Sequence, residues 1–184
     1  MRIVAGRWRG RGLAAPPGEA TRPTSDRARQ AIFDRLAHAP WAAGVLDGAA
    51  VLDAFAGTGA MGLEALSRGA ARAWFMETDA VARRALAANI VACHAESATI
   101  LAADATRPPK GEPCTLVFLD PPYGKGLIPV ALAALRTAGW IAPGALLVCE
   151  TARDEPIDVG GPLATALHGA ARVTFLRETD APSL

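Results

Sequence analysis

A short stretch in the second half of the chain combines an acid, two prolines and an aromatic ring. Asp120, Pro121, Pro122 and Tyr123 follow the apolar run TLVFL. The Asp120 carboxylate can accept one N–H of an exocyclic amine on a base, and the Pro121 carbonyl can accept the other, since proline has a fixed φ and no competing N–H. Tyr123 can stack on the base. These residues predict a clamp for a planar nitrogen; the plainer alternative is a proline turn with an aromatic plug.

The chemistry that such a clamp favours is methyl transfer to the held nitrogen. An exocyclic amine is a poor nucleophile because its lone pair is delocalised into the ring. Holding both N–H groups favours a pyramidal nitrogen whose lone pair points towards a methyl donor. With a neutral thioether as leaving group, positioning for an in-line transfer can supply most of the catalysis. Asp120 or water can then take the amine proton, and the sequence leaves both options open.

A glycine loop in the first half of the chain is the second candidate site. Gly57, Gly59 and Gly62 form a GxGxxG pattern between the apolar run AVLDAF and a helical stretch. Such a loop brings backbone N–H groups close to a ligand. The pattern alone is also compatible with a tight turn whose glycines serve packing. Its position between a predicted strand and a predicted helix favours a cofactor site.

Three acids at the ends of successive predicted strands indicate which cofactor the loop would bind. Glu77 is placed to bind the ribose hydroxyls of a nucleoside cofactor, including NAD. Asp104 is placed to accept a hydrogen bond from an adenine amine, and Asp53 directly precedes the loop. Three acids suit a cationic adenosine compound such as S-adenosylmethionine better than a pyrophosphate. In the alternative interpretation, Glu77 is a helix-entry residue beside Asp79, and Asp104 is an ordinary loop acid.

The elements that must position these residues alternate between apolar runs and Ala-rich helical stretches. Buried strands are predicted at 50–55, 71–77, 98–104, 115–120 and 144–150, and helices at 59–69, 79–94 and 128–139. This alternation is typical of a parallel sheet that is covered by helices on both faces. The runs LATALHG and AARVTFLRE near the end of the chain predict a closing antiparallel hairpin.

The start of the chain has a different character. RIVA and WRGRGL predict two short strands of a hairpin around Gly6. We therefore divide the chain into a basic N-terminal extension, residues 1–22, and a main domain, residues 23–184. The main domain would begin with a helix over TRPTSDRARQAIFDRLAH, which Thr24 or Ser25 can cap.

Composition narrows the class of protein. The 184 residues are 51% hydrophobic and 20% charged, which suits a single folded domain. No apolar run reaches the roughly 18 residues of a membrane helix, and the start lacks the apolar core of a signal peptide, so we expect a cytoplasmic protein.

The net charge is +1, but the first thirty residues are rich in Arg. They predict an anionic partner or, alternatively, a solvated basic surface. Cysteines and histidines do not cluster, so we expect no metal.

With both motifs considered, the chain resembles bacterial 16S ribosomal RNA (guanine-N2)-methyltransferases of the RsmD family, which are class I S-adenosylmethionine-dependent enzymes. The resemblance is carried by RIVAGRWRGRGL, RPTSDRARQAIFDRL, DAFAGTGAMGLEALSRGA and FLDPPY. Many amino-methyltransferases share DPPY and the glycine pattern, whereas the RPT segment and EALSRGA are more specific. The resemblance implies a Rossmann-like α/β fold: a mostly parallel seven-stranded sheet with helices on both faces, an antiparallel C-terminal hairpin and a small N-terminal β-hairpin.

The resemblance also implies roles for individual residues. S-adenosylmethionine would be bound by Asp53, Ala56, Gly57, Gly59, Glu77, Asp104 and Ala105. The target guanine would be held by Asp120, Pro121, Pro122 and Tyr123 after it leaves its stack. RNA phosphates would be bound by Arg7, Arg9, Arg11, Arg22 and Arg27, although we expect Arg22 or Arg27 to pair with an acid instead. Thr58 and Tyr123 stand where Ser and Phe are also common in the family, and both changes preserve the chemistry.

The implied partner is 16S ribosomal RNA within a small-subunit particle, and we expect the protein to act as a monomer. Three alternatives stay open at this point. The chain could be an amino-methyltransferase for DNA adenine or a protein amide, an NAD-dependent oxidoreductase, or an RNA-binding assembly factor without turnover. Binding of S-adenosylhomocysteine rather than NADH would separate the oxidoreductase from the others.

Overall fold

A computed structural model describes residues 1–15, 26–155, 157 and 161–179. Seven strands form one sheet in the order β3-β2-β1-β4-β5-β7-β6. The strands are β1 (Ala50–Asp53), β2 (Arg72–Met76), β3 (Ala98–Leu101), β4 (Cys114–Leu119), β5 (Ile141–Ala152), β6 (Ala164–His168) and β7 (Ala171–Arg177). Strands β1 to β5 are parallel, and β7 is antiparallel to β5 and β6. The predicted mostly parallel sheet and its C-terminal antiparallel hairpin are confirmed.

Helices cover both faces of this sheet, as predicted. They are α1 (Asp26–His38), α2 (Ala60–Ser67), α3 (Ala80–Cys93) and α4 (Leu127–Thr137). Successive strand residues point to opposite faces: Val51 joins the core under α1, α2 and α3, whereas Leu52 joins the core under α4. Within the described part of the chain, none of the helices is long and apolar enough to cross a membrane.

Local signals set the ends of several helices. Asp79 caps α3, and its side chain accepts a hydrogen bond from the Ala82 N–H at 2.7 Å. Pro129 lies in the first turn of α4, where its missing N–H has no helical acceptor to lose. Both features agree with the sequence prediction. Thr24 and Ser25, the predicted caps of α1, lie outside the described residues.

Two strands differ in length from the prediction because pairing partners decide where a strand ends. Strand β5 begins at Ile141, earlier than predicted, since Ile141 pairs with Cys114 of β4 before a register shift. Strand β3 ends at Leu101, where its partner β2 also ends, at Met76. Residues 102–104 therefore leave the sheet and continue as a loop at its carboxyl edge.

The N-terminal segment reverses direction without forming the two predicted strands. A single isolated antiparallel bridge joins Arg2 and Gly12. Turns occupy most of the intervening chain, in which Gly6 and Gly10 adopt positive φ angles of 80° and 82°. Backbone hydrogen bonds between residues 1–3 and 10–13 pair the two arms, so the expected hairpin forms without regular strands. The domain boundary at residue 22 stays a prediction, because residues 16–25 lie outside the described ranges.

A buried glutamate of α2 anchors this N-terminal segment. The Glu64 carboxylate, which is 0% exposed, accepts hydrogen bonds from the N–H groups of Val4 at 2.7 Å and Ala5 at 3.0 Å. It also accepts one from Arg68 Nε at 2.7 Å and lies 3.6 Å from Arg29 Nε. A buried carboxylate needs such compensation. The start of the chain is therefore fastened to α2 by directional contacts.

Candidate active site

The predicted site acids lie along one edge of the sheet. Asp53 ends β1, Glu77 follows β2, Asp104 lies beyond β3, and Asp120 follows β4. These strands are adjacent and parallel in the order β3-β2-β1-β4, so their carboxyl ends share one edge. The chain order reverses between β1 and β4, and open α/β sheets bind ligands at such a switch point.

A cavity of about 220 Å³ opens at this edge. It brings together four predicted site residues, namely Glu77, Asp104, Ala105 and Pro122. The lining residues that the sequence analysis missed include Phe55, Met76, Thr78, Ala103, Thr106 and Leu127. Most of them lie within a few residues of a strand end, and that position is the signal that could have found them. Asp53, Ala56, Gly57 and Gly59 are not among the described residues that line this cavity.

Glycine is required at the three positions of the loop for different structural reasons. A Cβ at Gly59 would lie 2.3 Å from Leu86 Cδ1, and one at Gly62 would lie 2.3 Å from the Phe75 ring, so close packing requires both. Gly57 has a φ of 53° and open space where a Cβ would be. Packing thus explains two of the glycines, and the third combines a left-handed conformation with an open side.

Glu77 ties the glycine loop to the start of α3. Its Oε2 accepts a hydrogen bond from the Gly57 N–H at 2.8 Å, and its Oε1 accepts one from the Asp79 N–H at 2.8 Å. Arg83 Nη1 donates to the backbone oxygens of Glu77 and Thr78 at 2.9 and 2.6 Å. Each carboxylate oxygen keeps a second lone pair. Glu77 is therefore a helix-entry residue and also a cavity-lining acceptor.

Asp53 is a buried carboxyl group beneath the glycine loop. It is 3% exposed, and its Oδ2 accepts a hydrogen bond from the Gly62 N–H at 3.0 Å. Burial raises the pKa of Asp53 to about 7; the Gly62 hydrogen bond opposes this rise and the charge of Glu77 adds to it. A cation brought near Asp53 would favour its ionised form.

Asp104 is held by the loop that it begins. Its Oδ1 accepts hydrogen bonds from the Thr106 hydroxyl at 2.7 Å and the Thr106 N–H at 2.8 Å, and its Oδ2 lies 3.6 Å from Arg107 Nη2. The hydrogen bonds from Thr106 lower the pKa of Asp104 despite some opposing desolvation, and the Arg107 charge assists them. Asp104 is therefore an ionised acceptor at neutral pH as well as a loop-forming acid.

The clamp segment is anchored to the neighbouring strand. Pro121 is buried, whereas Asp120 and Tyr123 are half-buried. The Tyr123 hydroxyl donates a hydrogen bond to Glu150 Oε1 at 2.6 Å, and Glu150, a residue of β5, is 7% exposed. Glu150 is not among the site residues predicted from the sequence. No signal in a single sequence links it to Tyr123, because sheet pairing creates their contact.

The predicted RNA-binding arginines are exposed wherever the structure describes them. Arg7, Arg9, Arg11 and Arg27 are exposed, and Arg22 lies outside the described residues. Two of them make local contacts: the Arg11 guanidinium donates to the Ala92 carbonyl at 2.6 Å, and that of Arg7 lies 4.2 Å from the centre of the Trp8 ring. These contacts leave the four side chains on the surface.

A different arginine makes the acid pairs that we expected of Arg22 or Arg27. Arg29 is 0% exposed, and its guanidinium bonds to Asp26 at 2.8 Å and lies near Glu64. The spacing of three residues between Asp26 and Arg29 on a helix is the signal that could have identified this pair.

The cysteines have the character of core residues. Cys93, Cys114 and Cys149 are all buried and unpaired with one another. Burial raises the pKa of Cys114 and of Cys149 to about 12, so these thiols stay protonated and inert at neutral pH. In the ranges that the structure describes, no group of three or more His, Cys, Asp or Glu side chains is arranged to hold a metal ion.

Known proteins resemble this chain over most of its length. The profile of the family described as conserved hypothetical protein 95 matches residues 1–168. Ribosomal RNA small subunit methyltransferase D of Escherichia coli K12 is 40% identical over 153 residues, covering 82% of this chain and 74% of that protein. The Haemophilus influenzae protein of the same name is 36% identical over 163 residues, covering 85% and 81%.

Solved structures share the fold of this chain. The yhhF structure from Escherichia coli superposes with a TM-score of 0.82 at 35% identity, covering 97% of this chain and 98% of that one. The Thermus thermophilus 16S rRNA N2 G1207 methyltransferase RsmC, solved with AdoMet and guanosine, gives a TM-score of 0.65 at 22% identity, covering 88% and 44%. At that identity the second likeness shows the fold alone.

Proposed function

This chain belongs to the ribosomal RNA small subunit methyltransferase D family and is a methyltransferase, and we propose that it transfers a methyl group from S-adenosylmethionine to N2 of a guanine in 16S ribosomal RNA. The observation that carries the proposal is the composition of one cavity. Glu77 and Asp104, which we assign to the cofactor, share its wall with Pro122 of the clamp. Donor and acceptor would therefore meet at one place.

The charge of this cavity favours an adenosine cofactor without phosphates. None of the described residues that line it is basic, and two are acidic. A dinucleotide such as NAD would bring a pyrophosphate close to these two carboxylates, whose charge would oppose it. Glu77 has lone pairs left for ribose hydroxyls, and the ionised Asp104, beside Ala105, suits an adenine amine.

The methionine part of the cofactor would lie towards the glycine loop. We assign it to Asp53, Ala56, Gly57 and Gly59. The open side of Gly57 leaves room for a ligand near the loop backbone. The buried Asp53 carboxyl would face the cationic part of the cofactor, and its ionised form would then be favoured. When bound, S-adenosylmethionine would supply an electrophilic methyl group on a sulfonium.

The residues of the clamp would orient the acceptor. The Asp120 carboxylate and the Pro121 carbonyl would each accept one N–H of guanine N2, so that the nitrogen lone pair faces the methyl group. The new C–N bond forms as the S–C bond breaks, and the sulfur keeps the electron pair of the broken bond. The nitrogen then loses one proton to Asp120 or to water. Pro122 and Tyr123 would contact the ring, and positioning would supply most of the rate.

The exposed arginines support an RNA partner. Arg7, Arg9, Arg11 and Arg27 present their guanidinium groups on the surface, and with Arg22 they would neutralise phosphates of the ribosomal RNA. The relatives named ribosomal RNA small subunit methyltransferase D support small-subunit ribosomal RNA as the substrate, and we propose that this is 16S RNA within a small-subunit particle. The RsmC structure, which shares the fold, was solved with AdoMet and guanosine, the same two kinds of ligand that we propose for this chain.

The test is transfer of a labelled methyl group from S-adenosylmethionine, followed by identification of the labelled nucleoside. Small subunits from a strain that lacks the gene, the matching naked RNA, and DNA would serve as substrates. We expect label in N2-methylguanosine, and comparison of subunits with naked RNA identifies the assembly state of the substrate. Label in DNA adenine or in protein would contradict the guanine assignment. Cofactor binding without label in any substrate would favour an RNA-binding role.

A further inference from the structure

We propose that Glu150 is a positioning residue for methyl transfer, which acts by holding the Tyr123 ring in the orientation that stacks on the target base. This proposal rests on the proposed function, since it assumes that the Tyr123 ring meets the base. It concerns a residue on the strand next to the clamp rather than a residue of the clamp itself.

The contact between the two side chains is short and partly shielded from water. The Tyr123 hydroxyl donates to Glu150 Oε1 at 2.6 Å, within the range of a charge-assisted O–H···O bond. Glu150 is 7% exposed, so water competes poorly for this carboxylate. A tyrosine ring that is held at both its Cβ and its hydroxyl loses the freedom to swing about χ1. The axis of the ring, from Cβ to the hydroxyl, is then fixed before the base arrives, and only rotation about that axis remains.

The sheet makes this anchor rigid with respect to Asp120. Strands β4 and β5 pair in parallel, with Leu119 opposite Cys149. Asp120 follows Leu119, and Glu150 follows Cys149. Asp120 therefore directly follows the end of β4, while Glu150 lies beside it within the paired part of β5. A site built on sheet strands is held more accurately than a site on loops alone.

A second glutamate fastens the next residue of the same segment. The Gly124 N–H donates to Glu155 Oε2 at 3.0 Å. Glu155 is itself held, because its backbone oxygen accepts a hydrogen bond from the Thr151 hydroxyl at 2.9 Å. Tyr123 and Gly124 are thus both bonded to β5 or to the turn that follows it. Together these contacts keep the ring from being carried away by a shift of its own loop.

The consequence for catalysis is specific. If the anchor is removed, the ring can still stack, so the base still binds, but it samples more orientations. Fewer bound complexes then have the amine in line with the methyl donor. Loss of Glu150 should lower kcat more than it raises KM for RNA, and it should leave cofactor affinity unchanged.

The experiment compares Glu150→Ala, Glu150→Gln, Tyr123→Phe and the double variant Tyr123→Phe/Glu150→Ala. We expect Glu150→Ala to lower kcat by about tenfold, and Glu150→Gln to restore much of it, because the amide oxygen still accepts from the hydroxyl. The double variant should be no slower than Tyr123→Phe alone, since both changes remove one interaction. The dissociation constant of S-adenosylhomocysteine should stay within twofold throughout.

Two further measurements separate positioning from general stability. Glu178→Ala is the matched control, because Glu178 also makes a 2.7 Å hydrogen bond, to Arg136, but lies on the opposite side of β5 from the clamp. Its kcat should equal that of the wild type. Tyr123 is the only tyrosine of the chain, so tyrosine labelled with ¹³C at Cζ gives one NMR resonance. That resonance should move in Glu150→Ala and not in Glu178→Ala.

The outcomes distinguish a failure of the proposed role of Glu150 from a failure of the proposed methyltransferase function. Wild-type kcat in folded Glu150→Ala, or losses that multiply in the double variant, would overturn the role of Glu150 while leaving the methyltransferase assignment intact. A wild-type protein that binds cofactor but methylates no RNA would remove both. If Glu150→Ala does not fold, Glu150→Gln is tested in the Tyr123→Phe background instead. There it should have no effect, and a further loss of kcat would refute the proposal.

Discussion

The backbone N–H of Gly57 donates a hydrogen bond to Glu77 Oε2 at 2.8 Å. This bond joins the glycine loop after β1 to the acid after β2. The open side of the loop and the acid that we assign to the ribose therefore keep one relative position, set by two neighbouring strands. A cofactor that touches both would find them arranged in advance.

Replacement of Glu77 by Ala should weaken cofactor binding by about tenfold or more, because a hydrogen bond to a charged group contributes about 1.5–3 kcal/mol. Calorimetric titration with S-adenosylhomocysteine measures the change. Glu96→Ala is a suitable control, since Glu96 is exposed in the turn between α3 and β3 and is not among the described residues that line the cavity. An unchanged affinity in Glu77→Ala would contradict the assignment of Glu77 to the cofactor.

The raised pKa of Asp53 predicts a pH-dependent stability. In the unfolded chain this carboxyl ionises near 3.8, whereas in the folded protein burial delays ionisation to about pH 7. Between these values the folded state holds the extra proton, so the free energy of unfolding contributed by Asp53 falls as pH rises, by roughly 1 kcal/mol per pH unit. Above about pH 7 the loss is complete and the contribution no longer changes.

Asp53→Asn isolates this effect because asparagine can still accept from the Gly62 N–H but does not titrate. Urea unfolding of both proteins between pH 5 and pH 8 gives the difference in free energy of unfolding. The wild type should lose stability relative to Asp53→Asn as pH rises to about 7. A difference that stays constant with pH would show that Asp53 ionises at its ordinary value.

Asp120→Ala should reduce methyl transfer by about a hundredfold or more, because the amine loses the acceptor that orients it. Cofactor affinity should stay within a few fold, since Asp120 is assigned to the substrate. Asp120→Asn should lie between, as its amide oxygen can still accept one N–H. Single-turnover assays with bound S-adenosylmethionine separate the two effects, and a parallel loss of cofactor binding would refute this division of roles.

Replacing Arg7, Arg9 and Arg11 together should weaken RNA binding and reduce the slope of log affinity against log salt by about two to three, as fewer counterions are released. Filter-binding titrations across a range of salt concentrations measure this slope. Arg136→Ala serves as the control, because Arg136 pairs with Glu178 at 2.7 Å away from the N-terminal segment. An equal slope for the triple variant and the wild type would argue against this segment as the RNA-binding surface.

Much of the fold was predictable from local patterns. Continuous apolar runs identified the parallel strands, and Asp79 marked the start of α3 because capping depends on nearby residues alone. The N-terminal hairpin has less regular strand structure than predicted, because distant residues take part in its hydrogen bonding. Its backbone donors at Val4 and Ala5 bond to the distant Glu64 carboxylate instead of to a second strand, and no local pattern reports such an acceptor.

The candidate site also combines features that local patterns identify with contacts that they do not. The strand-end acids, the glycine loop and the proposed clamp could all be located from the chain alone, since parallel strands bring their carboxyl ends to one edge. Three contacts could not be foreseen from local patterns: Gly62 packs on Phe75, Arg29 is buried beside Glu64, and Glu150 holds Tyr123. Each of these joins residues distant in the chain, and such contacts exist only once the sheet has set its strand order and register.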